Sequence, residues 1–480
     1  MIRHTWVWPT LIASALSACA VGPNYRRPDV ATPAAYKEAP ANATNNAASN
    51  TTSPPQEWWT VFNDPLLNDL EQQVEVSNQD LAAAEAAYRE AATVIREQRS
   101  ALFPSAGVSG DASRTRGASR SGSFTPSDGA VSNGTSNTYQ VAASASWEID
   151  LWGRIRRSVE NARALADASA ADLASAKLSL QGQLAIAYLQ LREADAEQRL
   201  VDQTVVAFQR SLDIAQNRYK AGVAAKTDVL QARTQLANAQ DQAVSLQLQR
   251  AQLEHAIASL VGKPAGDFTL TAKEDWQQVV PEIPFGVPST LLQRRPDIAA
   301  AERRVAAANA TIGIEEAAYF PSLTLTAARG FLAASTGNLF DSASATRSIG
   351  GSIAETLFDA GARRARVAGA RAAYDQTVAQ YRQSVLTAFQ DVEDNLASSN
   401  YLSRQYEFRR VASEAADETE QLTLNQYKAG TVSYTDVVVA QTAALDARRS
   451  LAAVALNRQT TAVSLITTLG GGWPAESATQ

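Results

Sequence analysis

Two long stretches of this chain repeat one another at a fixed spacing, and the repeated residues are those that shape a backbone. RYKAGVAAKTDVLQAR, residues 218–233, returns as QYKAGTVSYTDVVVAQ, residues 426–441, so Tyr219, Gly222 and Asp228 recur 208 positions later as Tyr427, Gly430 and Asp436. The register holds in both directions. Gly153, Arg156, Val159, Ala162 and Arg163 return as Gly361, Arg364, Val367, Ala370 and Arg371, and Gly262 returns as Gly470. A second echo runs at an offset of 217, where residues 78–85 match 295–302 and Phe103-Pro104-Ser105 matches Phe320-Pro321-Ser322. A duplicated unit of this length is one that cannot bury its apolar face alone and must lie beside its twin or a neighbouring chain.

The inventory of side chains excludes most chemistry. Cys19 is the only cysteine, so no internal disulfide and no cysteine metal site can form. The two histidines are His4 and His255, too few for a histidine metal cluster, and His255 reads as a packed or solvated side chain on a helix. No glycine-rich phosphate loop is present, and catalysis, a cofactor and a metal are not expected. The formal charge is −6, one unit lower once Arg3 is removed, which argues against nucleic acid as a partner.

Residues 1–18 carry Arg3, an apolar run from Trp6 to Leu16 and small residues before Cys19, the pattern of a secretory signal and too short for a membrane-spanning helix. Leu16-Ser17-Ala18-Cys19 resembles a bacterial lipoprotein box, which implies cleavage before Cys19 and a covalent lipid on it. Several acyl chains give stable anchoring where one would be marginal. Ala20, rather than an aspartate, implies passage to the outer membrane. Residues 19–56 then read as a lipidated tether, polar and without a periodic apolar face between Ala41 and Pro55.

A helical pattern runs from Leu66 to Leu102, and alternation of period two replaces it at Phe103-Pro104-Ser105. Pro104, Ala106, Val108, Gly110 and Ala112 form one parity; after a Gly/Ser-rich loop, Tyr139, Val141, Ala143, Ala145, Trp147, Ile149 and Leu151 form the apolar parity of a second strand. The second copy repeats the hairpin with Leu323, Leu325 and Ala327, then Ile349 and Ile353, while Glu355 falls on the apolar parity of the return strand. Strands of about 10 residues with one apolar and one small polar face suit a membrane barrel, although a soluble sandwich alternates in the same way. Four strands per chain are too few for a closed barrel, so chains must pool them: two copies give eight strands and three give twelve.

Proline is absent from 127 to 263 and from 322 to 473, so very long helices fit there. Residues 154–221 and 370–429 read as limbs roughly 90 to 100 Å long at ~1.5 Å per residue. Gly222 and Gly430 offer the left-handed position that closes a helix, and residues 226–260 and 435–469 lead back. Stripes such as Leu173, Leu180, Leu184, Tyr188 and Leu191, or Tyr381, Val385, Phe389, Val392 and Leu396, read as packing faces. Thr227-Asp228 and Thr435-Asp436 stand where the return helices begin, as capping threonines and first-turn aspartates would. Arg154, Arg156 and Arg157, echoed by Arg363, Arg364 and Arg366, read as a solvated helix face near the strand junction. Trp147 and Trp152 flank it, as an interfacial belt or as buried packing.

The chain is similar to the TolC-like outer membrane factors of tripartite efflux systems, in their OprM/NodT lipoprotein branch. The likeness rests on LSAC, CAVGPNYRRP, WWTVFNDPLL, GVPSTLLQRRPDIAAAERRVAAANATIGIEEAAYFPSLTLTA and both YKAG tips. It implies a mixed α and β membrane protein in which each chain gives four strands to a trimeric 12-stranded outer-membrane barrel, continued by a long periplasmic helical barrel. The organisation is then a signal (1–18), a tether (19–56), repeat 1 (57–264, hairpin at 103–151, tip near 222), an equatorial linker (265–285), repeat 2 (286–474, hairpin at 320–358, tip near 430) and a short tail (475–480). Implied partners are two further copies, outer-membrane lipid, a periplasmic adaptor and an inner-membrane transporter of the RND type.

By the same resemblance the adaptor meets Tyr219, Lys220, Ala221, Gly222, Tyr427, Lys428, Ala429 and Gly430. The periplasmic gate uses Asp436 as a pore ring and Asp228 with Tyr427 as a pair between protomers. Val432 and Val439 stand where that family's TolC-type member has a gating arginine and a second pore aspartate, which implies a closed state resting more on packing than on salt bridges. A single aspartate ring would favour cations. The implied function is a passive exit duct for drugs or other small toxic compounds. Two other readings are a channel for type I protein secretion and a lipid-anchored coiled-coil scaffold without a pore, the latter at odds with strands that carry one apolar face.

Overall fold

Left-handed glycines punctuate the fold at matched places in its two halves. In the computed structural model the described residues are 20–39, 57–118, 133–273, 276, 278–281, 283 and 294–471. The signal, Cys19, residues 40–56 of the tether, the middle of the first hairpin's loop, part of the linker and the tail lie outside them. Seven helices occur among the described residues: α1 (Pro65–Ser77), α2 (Gln79–Ser100), α3 (Arg154–Lys220), α4 (Lys226–Leu260), α5 (Pro296–Ala317), α6 (Ala362–Ala429) and α7 (Tyr434–Thr468). Four strands accompany them: β1 (Ser105–Ala118), β2 (Asn133–Ile149), β3 (Ser322–Ala333) and β4 (Ala345–Ala354). None of the described helices is long and apolar enough to cross a membrane.

The chain divides into two compact units. One draws on the chain to Pro28, Tyr88–Ser169 and Ala301–Tyr381; the other on Asp29–Ala87, Ala170–Ala300 and beyond Arg382. In the first, both hairpins join one antiparallel sheet in the order β1-β2-β3-β4. β2 stops at Ile149, short of Leu151, and β4 stops at Ala354, before Glu355 would point a carboxylate toward the apolar face.

An extended segment from Ala20 lies along this unit. Val21 N–H donates to Trp152 O at 2.9 Å. Gly22, at φ +97°, passes Gly313 so closely that a Cβ would stand 2.4 Å from its Cα. Arg157 is 4 % exposed and donates to Val21 O, Gly22 O and Asn24 Oδ1 at 3.1–3.2 Å. The expectation of a solvated arginine face holds at Arg154, Arg364 and Arg366, which are exposed, and is corrected at Arg157, which satisfies carbonyls that the extended segment cannot pair within itself. Arg154 is paired with Glu148, Arg156 with Asp150 and Arg363 with Asp359. Trp152 packs rather than facing a membrane freely, its ring stacked 4.7 Å from Phe320 and its indole N–H donating to Pro321 O.

The second unit has its main core where Trp58, Phe62, Leu67, Leu70 and Val74 meet Leu184, Tyr188 and Leu191 of α3, Ile257 of α4 and Val463 and Ile466 of α7. The helix expected over 66–102 is broken at Asn78, whose side chain caps α2 at Leu81 N (2.9 Å) and donates to Leu260 O (2.7 Å). Beside the core, buried Arg192 bonds Tyr188 Oη, Asp195 and Thr271 O, while Arg250 holds Asp195 and Leu270 O. These bonds fix the segment after α4, and Gln278 in it donates to Glu193 at 3.0 Å.

Each return helix ends in a Schellman closure. Lys263 N–H reaches Ala258 O and Gly471 N–H reaches Ile466 O, at 2.9 and 3.0 Å. A Cβ on Gly262 would meet Ser77 O at 2.1 Å, and one on Gly470 would meet Arg294 O at 2.3 Å. Ser77 and Arg294 are themselves related by the 217-residue echo, so each repeat docks the end of its return helix against the same place.

Gly262→Ala and Gly470→Ala each combine left-handed strain with this collision and are expected to destabilise by about 2 to 4 kcal/mol. Gly222→Ala meets nothing within 4 Å and should cost only about 1 kcal/mol. Thermal unfolding followed by circular dichroism orders the three.

Glu193 supplies a second expectation. Burial, reinforced by Glu197, pushes its carboxyl from 4.5 up to about 7. A folded pKa above the unfolded one means that stability is full below about pH 4.5 and is lost as pH rises toward 7. Glu193→Gln should therefore match the native protein at pH 4 and exceed it by about 1 to 3 kcal/mol at pH 8. Denaturant midpoints at the two pH values measure this difference.

Candidate functional site

Strand register sorts the sheet's side chains onto two unlike faces. Trp147 stands opposite Leu325, Ala145 opposite Ala106 and Ala327, and Ala143 opposite Val108 and Arg329. Leu323 and Ala327 continue the same face to Ile353 and Ile349. This face is apolar and unsheltered, with Val108 79 %, Ile353 74 % and Ile349 93 % exposed. The other face carries Ser109, Asp111, Gln140, Ser144, Ser146, Glu148, Thr324, Thr326 and Ser348. Water on one side and hydrocarbon on the other is the environment that such a sheet fits. β1 and β4 are its edges, each with one row of ladder groups unpaired among the described residues.

The helical hairpin tips lie in the other unit. α3 ends with Gly222 at φ +75° and Val223 N–H donating to Arg218 O; α6 ends with Gly430 at φ +81° and Thr431 N–H donating to Gln426 O, both at 3.0 Å. Tyr219, Lys220, Ala221 and Gly222 are exposed, as are Lys428, Ala429 and Gly430. Tyr427 is not: it is 3 % exposed and packs in a small core with Phe208, Leu212, Leu236, Tyr434 and Val437. The matched tyrosines of the repeat thus occupy opposite environments.

Arg218 explains the difference. Its guanidinium lies 4.8 Å from the centroid of the Tyr427 ring and donates to Tyr427 O and Lys428 O at 3.1 and 3.4 Å, so the first tip grips the carbonyl end of the second. Gln426 occupies the corresponding place in the second copy and is too short and uncharged to reciprocate. Sequence reasoning passed over Arg218; the mismatch inside an otherwise matched motif is the signal that marks it. Tyr434 meets Tyr427 edge to face at 5.3 Å, and burial pushes its hydroxyl up to about 12. Tyr427 is raised in the same sense, by burial first and then by the charge of Asp228, and its hydroxyl has no partner among the described residues. The half-buried Asp228 is therefore a neighbour of Tyr427 but not its hydrogen-bond partner.

Asp436 is exposed on the first turn of α7. Ser433, not Thr435, is the N-cap: its Oγ accepts from Asp436 N–H, and the Asp436 carboxylate accepts from Ser433 N–H at 3.0 Å and Ser433 Oγ at 2.7 Å. The Ser433 hydrogen bonds hold the Asp436 carboxyl below its ordinary range. At α4 the N-cap is Ala225, which has no side chain to donate or accept. The expectation that Thr227 and Thr435 cap these helices is therefore corrected, because both lie inside the first turn. Among the described residues no group of His, Cys, Asp and Glu is placed to hold a metal ion.

A four-stranded sheet with an exposed aliphatic face, joined to paired long helices, defines a β-barrel membrane channel with a helical extension. The family described as outer membrane efflux protein matches residues 70–263 and 287–471, and the chain belongs to that family. It is 32 % identical to the probable efflux pump outer membrane protein TtgC of Pseudomonas putida, over 95 % of this chain and 93 % of that one. The pyoverdine export outer membrane protein OpmQ of Pseudomonas putida is also 32 % identical, over 100 % of this chain and 99 % of that one. The solved outer-membrane channel OprN superposes with a TM-score of 0.85 at 32 % identity, over 95 % of this chain and all of the other. The protein is an efflux channel of the outer membrane.

Arg218→Ala removes a guanidinium that covers Tyr427 and satisfies two tip carbonyls. It is expected to weaken the tip by about 1 to 3 kcal/mol, with faster hydrogen exchange over 424–434 and little change in the β strands. Tyr427→Phe deletes an unpaired buried hydroxyl and should leave exchange there unchanged or slower.

Proposed function

We propose that this channel is the passive exit duct of a tripartite pump for drugs or other small toxic compounds, working as a homotrimer. The observation that carries the reading is the sheet: its apolar face is exposed and both of its edges are open in one chain. Within hydrocarbon every backbone polar group needs a partner, so β1 of one chain must pair with β4 of another. Three chains give twelve strands, a barrel with a water-filled interior lined by the Ser/Thr/Gln face. Cargo then crosses without any change of covalent bonds and without a cofactor.

Cys19 is the lipid attachment site, and the described chain supports this by running Ala20 against Gly153, beside the end of β2. The adaptor, feeding from an inner-membrane transporter of the RND type, docks on Tyr219, Lys220, Ala221, Gly222, Lys428, Ala429 and Gly430, which the two Schellman closures hold exposed. Tyr427 supports that surface from within. Asp436 forms the cation-favouring ring of the gate, its charge kept by Ser433, and Asp228, half-buried beside Tyr427, belongs to the seam between protomers. Relatives named for efflux and for pyoverdine export favour small molecules over a type I secretion cargo.

The test is ion conductance of the purified acylated protein in a planar bilayer. Small cation-selective steps are expected from the native chain, with selectivity lost in Asp436→Asn and kept in Ser433→Ala, which removes the cap but not the carboxylate. Silence from the native protein would defeat the duct, and selectivity unchanged in Asp436→Asn would move the ring elsewhere.

A further inference from the structure

The apolar face of the sheet contains an anomaly that the duct does not use. Register places Arg329 and Arg347 directly opposite one another on β3 and β4, on the face that also carries Trp147, Leu325 and Ile349. Arg114 and Arg116 lie on the same face, toward the loop end of β1. No aspartate or glutamate shares this face; the sheet's acidic residues, Asp111 and Glu148, are on the other. All four arginines are exposed, and none has a carboxylate partner among the described residues.

Two guanidinium groups directly opposite each other repel, and arginine in hydrocarbon costs about 2 to 4 kcal/mol at the midplane but close to nothing at the interface. A lipid-facing surface keeps such a pair where an anion outside the protein neutralises it. Beneath the pair is an open apolar depression of 830 Å³, floored by Val108, Ala143, Ala327 and Ile349. Guanidinium groups at the edge of an apolar trough suit a molecule that is phosphorylated at one end and acylated at the other, because arginine binds phosphate through paired hydrogen bonds.

Position selects the leaflet. Arg347 is the third residue of β4 counted from the loop 334–344, and Arg329 stands opposite it. α3 and α6 leave from the other end of the sheet. If the helices point into the periplasm, as the duct reading requires, the arginines lie in the outward half, and their long stems carry the charge toward the external rim.

We infer that Arg329 and Arg347 form a binding site for the phosphate of an outer-leaflet glycolipid, whose acyl chains occupy the apolar trough between β1 and β4. The inference rests on the outer-membrane barrel described above. The site tethers a lipid to the barrel wall and neutralises a charge pair that the protein leaves open.

The experiment compares the full purified chain with R329Q/R347Q and R329K/R347K in phosphatidylcholine vesicles doped with bisphosphorylated lipid A, with the same lipid A stripped of phosphate, or with phosphatidylglycerol. Lipid retained through re-purification is counted by mass spectrometry. The native chain should retain about tenfold more phosphorylated lipid A than R329Q/R347Q, with R329K/R347K, which keeps the charge but not the paired hydrogen bonds, between the two, and dephosphorylated lipid A should not distinguish them. Equal retention by R329Q/R347Q, or phosphatidylglycerol held as well as lipid A, overturns the site. So does a change of ion selectivity in R329Q/R347Q, because the pair would then line the lumen. A native chain that conducts ions yet retains no lipid A defeats this inference alone; one that retains lipid A without conducting defeats the duct alone.

Discussion

The structure depends on a constraint of the backbone: a sheet that faces hydrocarbon cannot leave a row of N–H and C=O groups unpaired. The four strands of one chain satisfy three ladders and leave β1 and β4 open. Their exposed face is built from Val108, Trp147, Leu325, Ile349 and Ile353, side chains that would drive aggregation in water and are at ease against lipid. The same facts make the isolated chain incomplete as a folded object. Association is therefore part of folding for this protein, and the lumen exists only once several chains share their edges.

Duplication supplies the material for that assembly, and small departures from it supply the asymmetry. Glycines 222, 262, 430 and 470 end their helices by the same pair of hydrogen bonds. Gly262 and Gly470 even meet matching carbonyls, at Ser77 and Arg294. Around them the copies diverge. Arg218 stands where the second copy has Gln426 and clamps the second tip, Tyr427 turns inward where Tyr219 stays outside, and α7 has a capping box where α4 begins on a bare alanine. Arg157 has Ala365 as its counterpart and serves the N-terminal segment, which occurs once per chain. Repeated positions carry the scaffold, and unrepeated ones such as Arg218, Ser433 and Arg157 break its symmetry.

Much of the fold was legible because it rests on periodicity and on glycine, both local. The alternation from Tyr139 to Ile149 marks β2, the long proline-free windows mark α3 and α6, and Gly222 and Gly430 mark the tips. The break at Asn78 was hidden, because a side chain that reaches Leu260 O across the fold leaves no trace in a helical pattern. The caps were misplaced for a related reason: a threonine two residues inside a helix looks like a cap until the hydrogen bonds of Ser433 are seen. The tip residues were recognisable as a motif, yet nothing in YKAG says which tyrosine is covered.

The sequence by itself determined that the chain is duplicated, rich in long helices and equipped with two amphipathic hairpins, because each of these properties is written in the spacing of residues along the chain. Only the tertiary structure decided that both hairpins enter one sheet, that Arg157 binds an extended segment more than a hundred residues away, and that Arg329 faces Arg347. Those outcomes depend on strand register and on which surfaces meet. A one-residue slip would move every side chain to the other face without altering the pattern that predicted the strand.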